Sequence, residues 1–411
     1  MKMKSSCAGR WLMISPKTQI HMLSCRSDSN LRIQNRVADR NSSVVRGRVL
    51  GQYVMNGGDG PNSYAQNSSY QCSSQMQRGV VDVAKPIIEA EISERLDVKH
   101  HSSTFRIADF GCSTGHNSFA AMKIITEAIK RKFETDRQTS DIPDFQVFFN
   151  DKAVNDFNTL FSSLPCKRLY YATGVPGSFH GRLLPKASLH FAYSSCTLNW
   201  LSEVPKEVAD DTSPSWNRGK IHCFGARREV LKAYSNQYVK DVEAFLESRA
   251  EELVAGGLMA LIVPAVPAFW NPNTAFTSIT EFDILGSCLT DLAEKGRFSK
   301  AKVDSFNLPL HYTIPQEFEA ILERSHNYTL ERMEIIDNPG KRTLPAPKDR
   351  ASFVRAVFEQ LLTNHFGSEI IDELFHQYAK KMAASPLFLD PENEKTIMIF
   401  VLLKRKPYDQ K

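Results

Sequence analysis

The stretch that most constrains how this chain can fold is "FRIADFGCSTGHNS", residues 105 to 118. An apolar run ends at Asp109 and Phe110, a turn of small residues holds Gly111 and Gly115, and a helical pattern follows. A strand, a glycine-bearing turn and a helix in that order build the corner of an open α/β sheet where a ligand can approach the backbone. The spacing is not G-x-G-x-x-G, which disfavours a dinucleotide. An acid in the turn, Asp109, suits a ligand carrying positive charge better than a pyrophosphate.

Two further apolar runs, "FQVFFND" (145 to 151) and "SLHFAYSSC" (188 to 196), alternate with helical patterns. Alternation of this kind predicts parallel strands joined by crossover helices. Residues 226 to 254 carry apolar side chains at helical spacing, from Val230 to Val254, with charges between them. They predict an amphipathic helix ended by Gly256 and Gly257, with "LMALIVPAV" as the next strand. "TIMIFVLL" (396 to 403) reads as the last strand. Between 274 and 390 the pattern is helix after helix without a strand signal, which predicts a helical cap. The expected architecture is α/β: a core of 55–273 and 391–411, a mainly helical cap of 274–390, and a basic leader of 1–54.

Composition bounds the function. With 42% hydrophobic and 24% charged residues in 411, the chain can bury a large core. Net charge is +5, but residues 1 to 50 hold ten Lys or Arg against Asp28 and Asp39, or +8, so the rest sums to 5 − 8 = −3. A mildly acidic body argues against a nucleic-acid face. The Ser- and Arg-rich leader has the character of a plastid or mitochondrial transit peptide, or of a disordered or mis-assigned upstream extension; without targeting, the expected location is cytoplasmic. Eight cysteines show no C-x-x-C pair, so neither a zinc site nor a disulfide framework is predicted. The longest apolar run, 256 to 270, is too short for a membrane span and is broken by Pro264 and Pro267.

A ligand with positive charge beside Asp109 fits the amino group or sulfonium of S-adenosylmethionine. Some forty residues on, "FFND" ends a strand with Asp151, placed for a ribose hydroxyl pair; the same residue could instead cap the helix of "KAVNDF". Six stretches, "MNGGDGPNSYAQNSSYQ", "IADFGCSTGHNSF", "FFNDKAVNDFNTLF", "GVPGSFHGRLLP", "SSCTLNWLSEVP" and "FVRAVFEQLLTNHFG", occur in the order found in the plant SABATH methyltransferases. The resemblance covers residues 55 to about 404. It implies a class I methyltransferase (Rossmann-like) sheet with a helical cap, usually homodimeric. The reaction it implies moves a methyl group from S-adenosylmethionine to the carboxylate of a small acid or, in the caffeine branch, to a purine nitrogen. A catalytically silent small-molecule binding protein on the same fold is the reading from another class.

Carried over by position, the resemblance implies cofactor contacts at Tyr64, Ser68, Asp109, Asp151, Ser178 and Phe179. It implies that Gln71 and Trp200 hold the substrate carboxylate, and that Cys196, Asn199 and His311 face the substrate. Asn217 in "WNRGK" matches a position that binds magnesium in some members, although a lone Asn is more often a turn residue. Trp200 could equally be a plain core aromatic, and Tyr64 and Phe179 could simply pack. The chain departs from the family pattern with Cys196 where Tyr is frequent, Asn199 where His or Met is, His311 where an aromatic is, and Asn56 where Lys is. The first three changes suggest a more polar pocket and an oxygenated or terpenoid-like acid rather than salicylate, and Asn56 weakens one cofactor-side contact. A carboxylate is already ionised near neutral pH, so the reaction needs alignment and exclusion of water rather than a general base.

Overall fold

In this computed structural model, residues 55–58, 62–64, 74–98, 103–137, 142–268, 276–339 and 346–408 are described. The leader, Ser68 and Gln71 lie outside them. Seven strands form one sheet: β1 Thr104–Phe110, β2 Asp144–Asp151, β3 Tyr170–Pro176, β4 Leu189–Ser195, β5 Leu253–Ala265, β6 Tyr328–Ile336 and β7 Ile397–Arg405. Their order is β3-β2-β1-β4-β5-β7-β6. The first five in space are parallel, and β7 runs antiparallel to both β5 and β6. The chain leaves β1 toward β2 and β3, then returns to set β4 on β1's other side. The crevice between the carboxyl ends of β1 and β4 is therefore the switch point, where such sheets bind ligands.

Both sheet faces are covered, which is why β1 and β4 read as nearly unbroken apolar runs. On one face α1 (Ser74–Arg95) and α2 (His116–Arg137) pack on Phe105, Ile107, Val147, Phe149 and Phe191. On the other, α4 (Arg228–Glu252) brings Tyr234, Tyr238 and Phe245 against Ala108 and Phe110. A short helix, α3 (Phe157–Ser162), joins β2 to β3. Five more helices follow β5, α5 (Thr277–Glu294), α6 (Lys300–Asp304), α7 (Pro315–Arg324), α8 (Pro347–Phe366) and α9 (Ile371–Ala384); Val357 of α8 reaches the cavity, while α7 packs beside α4 through the Arg324–Glu243 pair. A buried polar cluster ties this cap together: Arg350 of α8 pairs with Glu281 of α5 at 2.6 Å, and Glu394 accepts hydrogen bonds from Thr277 and Ser278 at 2.7 Å each. No helix among the described residues is long and apolar enough to cross a membrane.

Three sequence expectations change. The amphipathic helix stops at Glu252, before the glycine pair, and Leu253 already belongs to β5. Gly256 and Gly257 instead sit in a bulge where the β4 register jumps from Leu189–Leu253 to Phe191–Leu258. Gly256 holds φ +78°, and a Cβ at Gly257 would crowd the Val254 and His190 carbonyl oxygens at 3.0 and 3.2 Å. The region between 274 and 390 is not free of strands, because it contains β6. A register shift between Leu330 and Arg332 breaks the period-2 alternation there, and the strand carries half-buried Glu331, Arg332 and Glu334, charges that suit an edge. β3 likewise went unnoticed as the opposite edge, half-exposed along most of its length.

Candidate active site

The β1 turn is built for close approach. Gly111 and Gly115 have φ +92° and +100°, and a Cβ on Gly111 would meet Thr197 at 2.3 Å. Asn150, at the end of β2, fastens the turn. Its backbone oxygen accepts from the N–H groups of Gly111 and Cys112 at 2.9 Å each, and its amide donates to the oxygens of Val175 and Gly177. The ends of β1, β2 and β3 are thus held by one buried residue, through its backbone on one side and its side chain on the other.

Two acids face the resulting cavity. Asp109 is 3% exposed, and its Oδ2 has no hydrogen-bond partner among the described residues. Burial lifts its carboxyl to about 7; the Ser118 hydroxyl partly opposes this and the nearby Asp151 charge adds to it. Asp151 is raised by burial as well, but N–H groups of Ser113 and Lys152, both at 2.7 Å, favour its charged form. Asp151 is not a helix cap; that role belongs to Asp156, which accepts from Thr159 N at the start of α3. A buried carboxylate oxygen without a donor, as at Asp109 Oδ2, is costly unless a cation or donor arrives with the ligand.

Helix α4 organises two more walls. Arg249 and Glu252, both fully buried, form a 2.7 Å ion pair. Arg249 also donates to the carbonyl oxygens of Phe179 and Gly181 at 2.8 Å each and lies 4.2 Å over the Phe110 ring. Glu252 accepts from the Leu183 and Leu184 N–H groups. The 178–184 loop is therefore pinned from beneath, leaving Ser178 exposed and Phe179 edge-on against Phe245. Two turns back, Asp241 accepts from Ser202 N at 2.7 Å and Ser202 Oγ at 2.6 Å, which fastens the loop carrying Trp200. Trp200 packs 5.7 Å from Phe358 of α8.

One cavity thus gathers Tyr64, Asp109, Asp151, Ser178, Phe179, Cys196 and Trp200. Its wall does not include Asn199 or His311, which sit one layer behind. His311 N donates to Asn199 O at 2.9 Å, and His311 Nε2 lies 2.9 Å from Glu317 Oε2. Burial would raise Glu317, but His311, Ser235 and Thr313 outweigh it and hold the carboxyl at about 2. Asn217 is also outside the wall: its amide nitrogen donates to Lys220 O, His222 O and Asn307 Oδ1, a loop brace. Among the described residues no cluster of three or more His, Cys, Asp or Glu could hold a metal ion.

The wall also holds residues that sequence reasoning passed over: Met55, Ser113, His116, Lys152, Asn155, His180 and Thr197. Ser113 and Cys196 adopt left-handed φ of +47° and +54°, which only coordinates reveal. The Cys196 thiol is pushed up to about 11 by burial and stays protonated, so it offers no competing thiolate beside a methyl donor. Lys152 is drawn down to about 8 by burial, opposed by Asp151.

A doubly wound sheet whose switch-point cavity carries an acid at the end of β1, an acid at the end of β2 and an aromatic loop beside them is a class I methyltransferase built around S-adenosylmethionine. Comparison with known proteins narrows the class. The profile of the SAM dependent carboxyl methyltransferases matches residues 51–406. Loganic acid O-methyltransferase of Catharanthus roseus is 42% identical over 363 residues, covering 86% of this chain and 94% of that protein. Farnesoic acid carboxyl-O-methyltransferase of Arabidopsis thaliana is 39% identical over 329 residues, covering 80% and 92%. A solved structure of a loganic acid methyltransferase with SAH superposes with a TM-score of 0.80 at 40% identity, covering 87% of this chain and all of that one. The chain belongs to the S-adenosylmethionine-dependent carboxyl methyltransferase family, the SABATH enzymes that the sequence motifs resemble.

Proposed function

We propose that the acceptor is a small acid with a largely apolar body, oxygenated or terpenoid-like, converted to its methyl ester. The observation that carries this reading is the cavity's division. Its cofactor end is polar, with Asp109, Asp151 and Ser178, while the far end offers Trp200, Leu201, Val357 and the protonated Cys196. The relatives named for loganic and farnesoic acids support that acceptor class.

S-adenosylmethionine supplies a methyl group on a sulfonium, an electrophile that needs no acid or base to react. The chain's own task is placement. Asp109, with a bare oxygen, takes the ammonium of the methionine moiety, and Asp151 takes the ribose hydroxyls. Ser178 and Phe179, held by Arg249, border the adenine. Trp200, with Gln71 and Ser68 from outside the described residues, completes the carboxylate and cofactor contacts. A carboxylate oxygen would take the methyl group in line, the O–CH3 bond forming as the S–CH3 bond breaks and S-adenosylhomocysteine leaves as a neutral thioether, while the apolar wall excludes water.

The test is incubation of the full chain with labelled S-adenosylmethionine and a panel of terpenoid, aromatic and fatty acids together with xanthines. Methyl esters are expected; label found on a xanthine nitrogen and on no acid overturns the reading. Two copies per working unit, checked by sedimentation, and a cytoplasmic location, with the plastid as alternative, checked by imaging a fusion of residues 1–54, complete the proposal. A magnesium ion would bind an oxygen of Asn217 rather than the amide nitrogen that braces the loop, and the described residues hold no cluster of three or more His, Cys, Asp or Glu to share it, so no catalytic step is assigned to it. Chelation is expected to leave turnover unchanged.

A further inference from the structure

Residues 55–58 border the cofactor end of the cavity through Met55 and are bonded to both core and cap. Met55 lines the cavity, and Ser113 Oγ lies 3.6 Å from its sulfur. Asn56 N donates to Ala356 O on cap helix α8 at 2.8 Å, and Asn56 Nδ2 donates to Glu359 Oε2 of the same helix at 3.1 Å. Asn56 O accepts from Tyr64 N at 2.7 Å, which connects the segment to the buried Tyr64 on the cavity wall. Two residues on, the partner changes from cap to core: Gly58 N donates to Asp156 Oδ2 at 2.6 Å.

Asp156 is more than a helix cap. Its Oδ1 accepts from Thr159 N at 2.9 Å, which is all that capping α3 requires. Oδ2 is shared between the Thr159 hydroxyl and Gly58 N. A charged acceptor bonded to a backbone N–H is among the stronger hydrogen bonds. The segment also lies directly on this carboxylate, since a Cβ on Gly57 would fall 2.5 Å from Asp156 Oδ2 and 2.7 Å from its Cβ. Gly58 has open space around it but a φ of +74°, so the segment needs glycine at 57 for contact and at 58 for conformation. Asn155, next to Asp156, donates to Ser113 O at 2.9 Å, and Ser113 N donates to Asp151. The latch point is therefore wired to the acid at the end of β2.

We propose that Asp156 is a positioning residue that latches the 55–58 strap to the core, with Glu359 holding it to the cap, so that the closed strap retains the cofactor and its product. This rests on the assignment of the cavity to S-adenosylmethionine. Closure is sensed at the cofactor end, so the latch acts on the binding and release of the nucleotide rather than on the acceptor acid.

The experiment compares the full-length enzyme with Asp156→Ser, which keeps a capping hydroxyl but loses the second oxygen, and with Gly57→Ala, which pushes the strap off an intact Asp156. Calorimetry with S-adenosylhomocysteine on the wild type first establishes that the cavity binds the nucleotide; if it binds none, the cavity assignment itself fails. Both variants are expected to raise the Kd for S-adenosylhomocysteine about tenfold or more, the loss of one charge-assisted hydrogen bond. They are expected to speed its release in stopped flow and to leave the KM for the acid within about twofold. An unchanged Kd in either folded strap variant, or equal rises in the KM of acid and cofactor, overturns the proposal. If Asp156→Ser does not fold, Gly57→Ala decides alone.

Discussion

Asp109 makes cofactor binding depend on pH in a way that can be worked out beforehand. In the unliganded cavity its carboxyl lies at about 7, chiefly because it is buried. An ammonium against its bare Oδ2 favours the charged form and returns the group toward the ordinary carboxylate range. At pH 6 only about one molecule in ten then has Asp109 ionised before binding, so affinity at pH 6 is about tenfold weaker than at pH 8, or about 1.4 kcal/mol. Binding at pH 6 also releases close to one proton. The sign for stability is opposite to that of a salt-bridged acid: the folded pKa lies above the unfolded one, so the folded chain keeps a proton that the unfolded chain has lost between about pH 4 and 7. The unliganded enzyme should therefore lose stability as pH rises through that window, and the liganded enzyme should not. Calorimetry with S-adenosylhomocysteine in two buffers of different ionisation enthalpy reads both the Kd and the proton count. Lys152, at about 8, and His180 share the wall, so Asp109→Asn is the arm that assigns the slope. A flat Kd from pH 6 to 8 in the wild type, or the same slope in Asp109→Asn, refutes the reasoning.

Arg249→Ala leaves Glu252 buried without its partner and strips the Phe179 and Gly181 carbonyls; denaturant unfolding should show a loss of about 3–5 kcal/mol. A loss below about 1 kcal/mol would falsify the clamp. Gly111→Ala meets both a left-handed φ and the Thr197 side chain, so thermal-shift assays should show at least about 1–3 kcal/mol of destabilisation and a weakened response to S-adenosylhomocysteine. Trp200→Ala should raise the KM for the acid about tenfold or more while the cofactor KM holds; steady-state kinetics that move both equally would assign Trp200 to packing against Phe358 alone.

The strand-turn-helix at 105–118, the acids ending β1 and β2, and the α/β alternation were legible because each is a local pattern. Periodicity, turn glycines and the polarity at a strand's end are properties of neighbours in sequence. The motifs also placed Phe179, Cys196 and Trp200 on the cavity that the structure shows. What local pattern could not carry was anything set by partners far along the chain. β6 escaped notice because an edge strand with a bulge has no clean alternation, and the Gly256–Gly257 pair reads as a helix stop until Leu253 is seen paired with Leu189. Asn199 stands next to the wall residue Trp200 in sequence, yet the strand-like pairing of Trp200 with Leu310 sets it, bonded to His311, in the layer behind. The raised Asp109, the Arg249–Glu252 clamp under the 178–184 loop, and the bond from Asp156 to Gly58 across 98 residues exist only once distant segments meet. Burial and hydrogen-bond geometry are sums over spatial neighbours, and tertiary structure alone chooses those neighbours.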